Sequence, residues 1–440
     1  SDDVWFDIAE DGATEFTGYA SDVGEGQVIA IVKDGARVDS AAAGDSVEVL
    51  VNQTPFYAES GGQVGDAGTI TGDGVSATVA DTQKHVGKLH GHVATIDSGS
   101  LKVGDTVKLA IDRQRRAQIR ANHSATHLLH EALRQRLGTH VAQKGSLVSP
   151  ERLRFDVSHP SSMSAAELSD VETRVNAQVR ANTPVTTRLM TPDDAIAMGA
   201  MALFGEKYGD EVRVVSMGTE DGGKTYSVEL CGGTHVNALG EIGLLKIVGE
   251  SAVSSGVRRI EALTGEAARG YLQSRDDKLK EAAAALKASP DDVPARVATL
   301  VEEKRRLERE LAEAKKALAL GGGGKAEAAG PETIGGVGFV GQVLDGFEAK
   351  GLRGAVDEAK ARIGSGVAAL VAVNDGRATV AVGVTDDLKD RLSAVDLVKA
   401  AVAAVGGQGG GGRPDMAQGG GPDGANAAAA LDAVRAVLRG

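Results

Sequence analysis

The sequence predicts an α+β protein of several domains: a small β-barrel, an α/β domain with a metal site, an antiparallel helical hairpin and a small α/β domain at the C-terminus. The chain has 440 residues, more than a single hydrophobic core usually serves. Apolar and polar residues alternate through residues 1–112, whereas residues 265–320 are helical almost throughout. Strand-like and helix-like segments then alternate in residues 331–440.

The β-barrel, residues 1–112, is predicted from strand-like segments that Gly and Asp turns separate, among them Ser46–Val51 and Thr106–Ile111. Within it lies Thr54-Pro-Phe-Tyr-Ala-Glu-Ser-Gly-Gly-Gln-Val-Gly-Asp66. The three glycines of this motif let the backbone approach another surface closely. A wide turn between strands explains the same residues equally well.

Residues 113–264 are predicted to form an α/β domain that begins with a helix over residues 113–137. Asp112 is a candidate N-cap, and alanines and leucines give the helix an apolar stripe. Residues 113–160 carry nine Lys/Arg against three Asp/Glu, although the chain as a whole has a net charge of −13. Such a local basic patch either docks a phosphate backbone or is a solvated helix face.

Residues 265–320 are predicted to form two antiparallel helices. Leu272, Leu279 and Leu286 recur every seven residues, and Ser289-Pro-Asp-Asp-Val-Pro294 interrupts the run. The apolar seam is larger than one hairpin needs, so we expect a homodimer through these helices. A glycine run at residues 321–324 is predicted to be a linker.

The C-terminal domain, residues 331–440, contains a segment in which glycine dominates, Gly406–Gly421. We interpret this segment as a loop before the last helix. Its backbone amides either face an anion or belong to a merely flexible loop.

Composition excludes several classes of protein. The only cysteine, Cys231, cannot form an intrachain disulfide, which favours a reducing cytoplasm over secretion. No run of about 18 apolar residues predicts a membrane span. The first ten residues lack the basic and apolar regions of a signal peptide.

Two short motifs carry candidate metal ligands. His123-Ser-Ala-Thr-His127 places two imidazoles on one helix face, and Cys231-Gly-Gly-Thr-His235 offers a thiolate and an imidazole at the same spacing. Either pair alone is more simply explained by ordinary core or surface residues. One cysteine with three histidines suits zinc best, so together they predict a shared Zn²⁺.

Polar neighbours suggest a substrate beside this site. Four protein ligands are typical of a structural zinc, so the ligands alone do not indicate catalysis. Thr126 lies next to a ligand, and Gln143 follows the helix with an amide that both donates and accepts hydrogen bonds. His130 and His140 are expected near the ligands or at the surface, and the histidines of the barrel have no assigned role.

These motifs resemble the alanyl-tRNA synthetase family. The two ligand motifs resemble the zinc half-sites of its editing domain, and the glycine motif resembles that of its barrel. Three further segments resemble parts of the family. His140–Val148 resembles the segment that lines the family's substrate pocket, Ser255–Ala262 resembles its closing hairpin, and Gly409–Gly420 resembles its C-terminal tRNA-binding domain. The segments occur in the family's order along the whole chain.

The resemblance implies hydrolysis of tRNA(Ala) mischarged with serine or glycine. Residues 1–112 and 113–264 would then form the barrel and the zinc-containing editing domain, and residues 331–440 would bind tRNA. Thr126 and Gln143 would sense the substrate, while zinc would either activate water or anchor the substrate. Candidate phosphate contacts, each with a salt bridge as the alternative, are Arg113, Arg115, Arg116, Arg258, Arg259 and Arg413.

The resemblance does not include the family's amino-terminal half, which charges tRNA with ATP and Mg²⁺. We therefore expect a fragment that forms no aminoacyl-adenylate. A free-standing editing protein, a non-catalytic tRNA-binding module with a structural zinc and a zinc hydrolase of small molecules stay open as alternatives. The glycine-rich C-terminal domain argues against the last, because a small substrate gives that domain no role.

Overall fold

The computed structural model describes residues 2–201, 209–321 and 331–440. The chain divides into two compact units, Ser1–Leu279 and Lys280–Gly440. The glycine run predicted as a linker lies, except for its first residue, outside the described residues. Within the described ranges, no helix is long and apolar enough to cross a membrane.

A closed six-stranded antiparallel barrel begins the first unit, as the alternating pattern predicts. In order around the barrel, its strands are β11, β7, β8, β9, β5 and β2, and β2 pairs again with β11. The helix and strands of this region are α1 Asp3–Glu10, β1 Glu15–Phe16, β2 Val23–Lys33, β3 Ala36–Val38, β4 Ser40–Ala42, β5 Ser46–Val51, β6 Gln53–Thr54, β7 Gly68–Gly72, β8 Val75–His85, β9 Leu89–Ser98, β10 Ser100–Lys102 and β11 Thr106–Ile111.

The barrel's core follows directly from the alternation. Buried Val49, Ile70, Val79 and Leu109 come from different strands and pack in one hydrophobic cluster. Their polar neighbours in sequence point outward, as a period of two requires. Phe56, from the motif between β6 and β7, completes this cluster and fixes the motif against the barrel.

A long helix and two sheets form the rest of the first unit. The helix α2, Arg113–Leu137, begins at Asp112, whose side chain accepts a hydrogen bond from the Arg115 amide. The sheets have the strand orders β12-β13-β18-β17 and β14-β15-β16. The elements are β12 Gln143–Val148, β13 Leu153–Ser158, α3 Ala165–Ala181, β14 Thr186–Met190, α4 Pro192–Ala197, β15 Val212–Thr219, β16 Thr225–Leu230, β17 Leu245–Ser254 and β18 Val257–Thr264.

Helix α2 lies inside this domain rather than on its surface. Its Leu128, Leu129 and Leu133 are fully buried in a core that includes Phe155 of β13 and Val175 of α3. Because apolar contacts surround the middle of the helix, its polar residues there are also buried. The helix therefore carries histidines into the interior.

Two helices follow residues 113–264: α5 Gly265–Leu286 and α6 Val293–Gly321, with the predicted break between them. The predicted seam, however, is not buried in the described part of the chain. Leu272 is 40 % exposed, Leu307 56 % and Leu311 55 %. The leucine spacing thus predicts the helices correctly, while whatever covers the seam is not supplied by the described residues.

The C-terminal domain is a six-stranded sheet with helices on both faces, which confirms the predicted small α/β fold. The strand order is β19-β20-β21-β22-β24-β23, and only β20 and β21 pair in parallel. The domain has a hydrophobic core on each face of the sheet. Val371 of β21 packs in the core on one face, and its neighbour Leu370 packs in the core on the other face. The elements are β19 Glu332–Ile334, β20 Val337–Asp345, α7 Leu352–Ile363, β21 Val367–Asn374, β22 Arg377–Val384, α8 Ala394–Ala404, β23 Gly411–Arg413, β24 Met416–Gly421 and α9 Ala427–Arg439.

The structure of the glycine-rich segment, Gly406–Gly421, differs from the loop predicted for it. It forms the hairpin β23–β24, and β24 also pairs with β22, so that its backbone is part of the sheet. A Cβ atom on Gly419 would lie 2.6 Å from the side chain of Val402 in α8, and one on Gly407 would be equally close. The glycines therefore allow a helix to pack directly on the hairpin.

Candidate metal centre

Helix α2 and the loop after β16 bring the four predicted ligands together. The spacing of four on α2 stacks the rings of His123 and His127, whose centroids are 5.3 Å apart. The loop places Cys231 and His235 opposite them, and the ligand atoms of all four side chains lie within 4.8 Å of one another. Two motifs more than a hundred residues apart thus converge on one point.

The sulfur atom of Cys231 lies between two imidazoles. Its distances to Nε2 of His123 and of His235 are 3.4 and 3.2 Å. The loop can approach α2 this closely because of Gly233, where a Cβ atom would lie 2.1 Å from the His123 ring. Any other residue at this position would push the loop away from the helix.

The remaining nitrogen of each imidazole is held by another residue. Nδ1 of His123 donates to Oε1 of Gln63 at 2.7 Å, and Nδ1 of His127 donates to Glu229 at 2.9 Å. Nδ1 of His235 is hydrogen bonded with the Ser124 hydroxyl at 3.0 Å. All three rings therefore direct Nε2 toward the cluster, the arrangement in which metal-binding histidines are usually held.

One nitrogen of the cluster has no partner. Nε2 of His127 is buried and makes no hydrogen bond within the described residues, although a buried polar atom normally finds a partner. Since Nδ1 of the same ring is engaged by Glu229, Nε2 is the atom through which His127 would bind a metal ion. The residues present therefore fit a zinc ion with one sulfur and three nitrogen ligands.

The charges at the cluster favour a cation. Burial by itself raises the pKa of the Cys231 thiol, but His123, His235 and His127 outweigh burial and hold this pKa well below its ordinary value. Burial lowers the pKa of His127, yet Glu229 and the Cys231 thiolate reverse the effect and raise it to about 10. The same negative charges would attract a metal cation.

Glu229 also holds a further histidine, His130. The carboxylate accepts a hydrogen bond from Nδ1 of His130 at 3.1 Å while its other oxygen accepts from His127. Nε2 of His130 is buried without a partner in the described part of the chain, and the ring packs edge-on against Phe155. His130 is thus not a surface residue but a buried neighbour of the cluster.

A cavity of about 330 Å³, here called the central cavity, opens beside the cluster. His123, His127 and Cys231 lie on its wall together with Thr126 and Gln143, the two residues predicted to sense a substrate. The Thr126 hydroxyl donates to the Asn122 carbonyl, which leaves its oxygen as an acceptor. The Gln143 amide donates to the Ser146 hydroxyl at 3.3 Å. Both side chains therefore face the space next to the cluster.

The glycine motif of the barrel borders the same cavity. Its Gly61 lies on the cavity wall, and Gly62 packs so closely on β12 that a Cβ atom would lie 2.6 Å from the Ser146 carbonyl oxygen. The motif also exchanges backbone hydrogen bonds with Val148. The predicted close approach to another surface is therefore present, and the surface is the edge of β12.

The arginines of α2 differ in accessibility. The side chain of Arg113 is 70 % exposed and lies 3.4 Å from Asp22, and Arg115 donates to the Gly65 carbonyl. Arg116 is 3 % exposed, and its guanidinium donates to both Asp66 oxygens and to two backbone carbonyls. The prediction of a phosphate contact for Arg116 is therefore wrong, because all of its charge is used inside the protein.

The other predicted phosphate contacts are also engaged in ion pairs. Arg258 pairs with Glu250, and Arg259 binds both oxygens of Asp156 in the adjacent strand. These two arginines hold the sheet together. Arg413 lies 3.3 Å from Asp415, but its side chain is 78 % exposed and remains accessible.

Sequence reasoning missed the residues that position the ligands. Glu229 precedes Cys231 by two residues at the end of a strand, and the period of two places both on one face. The spacing of two could therefore have indicated from the sequence that Glu229 lies beside the ligands. Gln63 and Ser124 offered none, because their partners lie 60 and 111 residues away in the chain.

Comparison with known proteins gives three family matches along the chain. Residues 5–115 match the tRNA synthetases class II (A), residues 212–261 the threonyl and alanyl tRNA synthetase second additional domain, and residues 336–440 the DHHA1 domain. The second match includes Cys231 and His235 of the cluster.

Individual relatives agree with these matches. The chain is 69 % identical to an alanine–tRNA ligase of Rhizorhabdus wittichii and 67 % identical to one of Sphingopyxis alaskensis. Each comparison covers 100 % of this chain and 50 % of the relative, so the chain spans about half the length of the curated relatives it matches. The chain was also matched to a crystal structure of the C-Ala domain from Aquifex aeolicus alanyl-tRNA synthetase. The sequence identity is 25 %, the match covers 25 % of this chain and 98 % of that domain, and the TM-score is 0.24.

Proposed function

Since the chain belongs to the alanyl-tRNA synthetase family and corresponds to its C-terminal region, we propose that it hydrolyses tRNA(Ala) carrying serine or glycine instead of alanine. One observation carries the proposal: three of the four clustered ligands, His123, His127 and Cys231, form a wall of the central cavity. A metal group that borders an accessible cavity is placed to act on a bound ester, whereas a purely structural site needs no such cavity.

Zinc is the metal we propose for the cluster, with His123, His127, Cys231 and His235 as its ligands. When bound, a zinc ion supplies Lewis acidity to an ester carbonyl or to water. The protein's own contribution is to hold the rings. Gln63, Glu229 and Ser124 each occupy one Nδ1, which keeps three Nε2 atoms directed at one point before any ion arrives.

The need for a second active site follows from the size of the amino acids. Alanine differs from glycine and serine by one methyl or one hydroxyl group, and a difference of this size is worth only about 1–3 kcal/mol in an activation pocket. Serine is larger than alanine and glycine is smaller. A purely steric second pocket therefore cannot remove both errors, and the pocket must recognise the serine hydroxyl chemically.

Two residues of the central cavity are suited to that recognition. The Thr126 oxygen can accept a hydrogen bond from a serine hydroxyl, because its own hydrogen is directed to Asn122. Gln143 can donate to or accept from the same hydroxyl through its amide, whose present partner is 3.3 Å away. Alanine offers neither bond, so Thr126 and Gln143 would favour serine over alanine.

The remaining predicted domains receive complementary roles in this proposal. Residues 1–112 and 113–264 carry the hydrolytic site, and residues 331–440 bind tRNA(Ala). The exposed seam leucines of residues 265–320 form a homodimer contact with a second copy, and the protein acts in the cytoplasm. The accessible arginines Arg113 and Arg413 contact phosphates of the RNA backbone.

A deacylation assay tests the proposal. The whole chain is incubated with Ser-tRNA(Ala), Gly-tRNA(Ala) and Ala-tRNA(Ala), before and after treatment with a zinc chelator. We expect release of serine and glycine but not alanine, loss of release after chelation and recovery when Zn²⁺ is added back. A zinc-loaded protein that binds tRNA(Ala) without releasing serine would instead be a binding module with a structural metal.

A further inference from the structure

A second cavity of about 310 Å³, here called the arginine cavity, lies next to the metal cluster. Its wall includes Tyr19, Arg120, Arg213 and the ligand His235. Arg213 and Gly233 border both this cavity and the central cavity. The two cavities are therefore neighbours that share part of their walls.

Arg213 is held in place without a counter-ion. Its guanidinium lies 3.5 Å from the centroid of the Tyr19 ring, and the Tyr19 hydroxyl donates to the Gly232 carbonyl in the ligand loop. Across the three described stretches of chain, Arg213 makes no ion pair, and its buried Nε has no hydrogen-bond partner. A partly buried, unpaired guanidinium costs free energy that a bound anion would recover.

The other charges on the wall leave the arginine cavity positive. Arg120 donates to the His235 carbonyl at 2.6 Å and to Asn237 at 3.2 Å, both of them neutral acceptors. Asp66 neutralises Arg116 inside the protein. Among the residues that line the cavity, the single carboxylate is Asp22, which lies beside Arg113. Arg120 and Arg213 therefore face the cavity without a direct ion pair among the described residues, although the negative charges of Glu241 and Asp22 partly offset the burial that lowers the pKa of Arg120.

We propose that the arginine cavity binds the phosphodiester next to the aminoacylated end of the RNA, with Arg213 and Arg120 as phosphate-binding residues. This inference rests on the proposed function, because the ester at the cluster fixes which phosphate comes near. The ester is carried by the terminal ribose, and the nearest phosphate is on the 5′ side of that ribose. Guanidinium groups bind phosphate oxygens through paired, charge-assisted hydrogen bonds.

A binding experiment tests the phosphate directly and does not depend on hydrolysis. The probe is a short fluorescent RNA with the 3′-terminal sequence of tRNA, prepared with an ordinary last phosphodiester or with a neutral methylphosphonate in its place. We expect the whole chain to bind the charged probe about tenfold more tightly. Arg213→Gln should reduce this ratio to near one, and Arg213→Lys should give an intermediate value because lysine makes no paired contact.

Arg152→Gln is the matched control. Arg152 is also partly exposed but is paired with Glu261 at 2.8 Å, so its loss should leave the tenfold ratio unchanged. Equal binding of the two probes by the unaltered chain, or an undiminished ratio in Arg213→Gln, would overturn the inference. A chain that distinguishes the probes but does not deacylate Ser-tRNA(Ala) would refute the proposed hydrolysis and support the phosphate site.

Discussion

Oε1 of Gln63 lies 2.7 Å from Nδ1 of His123, so a residue of the barrel orients a ring of the buried helix. The same oxygen accepts the Thr234 amide at 3.0 Å, and the Gln63 amide donates to the Thr234 hydroxyl at 2.8 Å. Gln63 is fully buried. One side chain therefore connects both halves of the metal cluster, and the barrel belongs to the site rather than merely preceding it.

Replacing Gln63 by alanine should weaken zinc binding by about 10–100-fold, because residues that orient metal ligands typically contribute this much. The His123 ring would lose the acceptor that fixes its tautomer. Competition with a zinc chelator measures the change in affinity. Gln83→Ala, in a half-buried barrel residue that hydrogen bonds to Glu59, is the control and should bind zinc normally. Equal affinities for both variants would contradict the role of Gln63.

Cys231→Ala removes the only sulfur ligand and should reduce Ser-tRNA(Ala) deacylation by on the order of 100-fold or more. Zinc content, measured on the same preparation by atomic absorption, should fall well below one per chain. His140→Ala is the matched control, since His140 is exposed and pairs with His159 outside the cluster. Full serine release by Cys231→Ala would refute the metal-centred mechanism, although family membership would stand.

Gln143→Ala should separate substrate recognition from metal binding. Gln143 borders the central cavity but is not one of the four clustered ligands. Loss of one hydrogen bond to the serine hydroxyl should lower kcat/KM for Ser-tRNA(Ala) by about tenfold, while zinc stays near one per chain. Gln135→Ala, on the exposed side of α2, should leave both values unchanged. A large loss of zinc from Gln143→Ala would show that its role is structural.

His92 should make the barrel less stable in mild acid. It is fully buried, and its nitrogens are hydrogen bonded with the Thr54 hydroxyl and the Val49 carbonyl. Burial lowers its pKa from 6.5 to about 4, so the unfolded chain binds the proton first as the pH falls. The free energy of unfolding should therefore decrease by about 2 kcal/mol between pH 7 and pH 5.

Urea unfolding of the whole chain at these two pH values measures the decrease. His92→Gln cannot be protonated, so its stability should change less over the same interval. His90, whose pKa burial also lowers, remains in both proteins and does not affect the comparison. An identical pH dependence in the two proteins would exclude His92 as the source.

The exposed seam should cause dimerisation. Leu300, Leu307 and Leu311 line one side of α6 and are 48–56 % exposed, which leaves apolar surface available to a second copy. We expect a dimer in sedimentation velocity, and Leu307→Glu should shift it to a monomer. Ala312→Glu introduces the same charge next to the seam and serves as the control. A monomeric unaltered chain at high protein concentration would rule out the contact.

Sequence patterns predicted the parts of this protein that depend on neighbouring residues. A spacing of four on a helix stacks His123 on His127 whatever the rest of the fold does, and two glycines after Cys231 permit the turn that brings back His235. Strand alternation likewise predicted the barrel and the C-terminal sheet. These features follow from the periodicity of the backbone, which the sequence expresses locally.

Tertiary structure decided which groups meet across long stretches of chain. It paired His123 with Gln63 and His127 with Glu229, and it buried Arg116 against Asp66 where the local charge pattern indicated an accessible cation. It also turned the glycine-rich segment into a hairpin under α8. The sequence by itself determined the chemistry and spacing of the candidate ligands. Their partners and accessibility were decided by packing, because burial depends on surfaces that residues far apart in the chain form together.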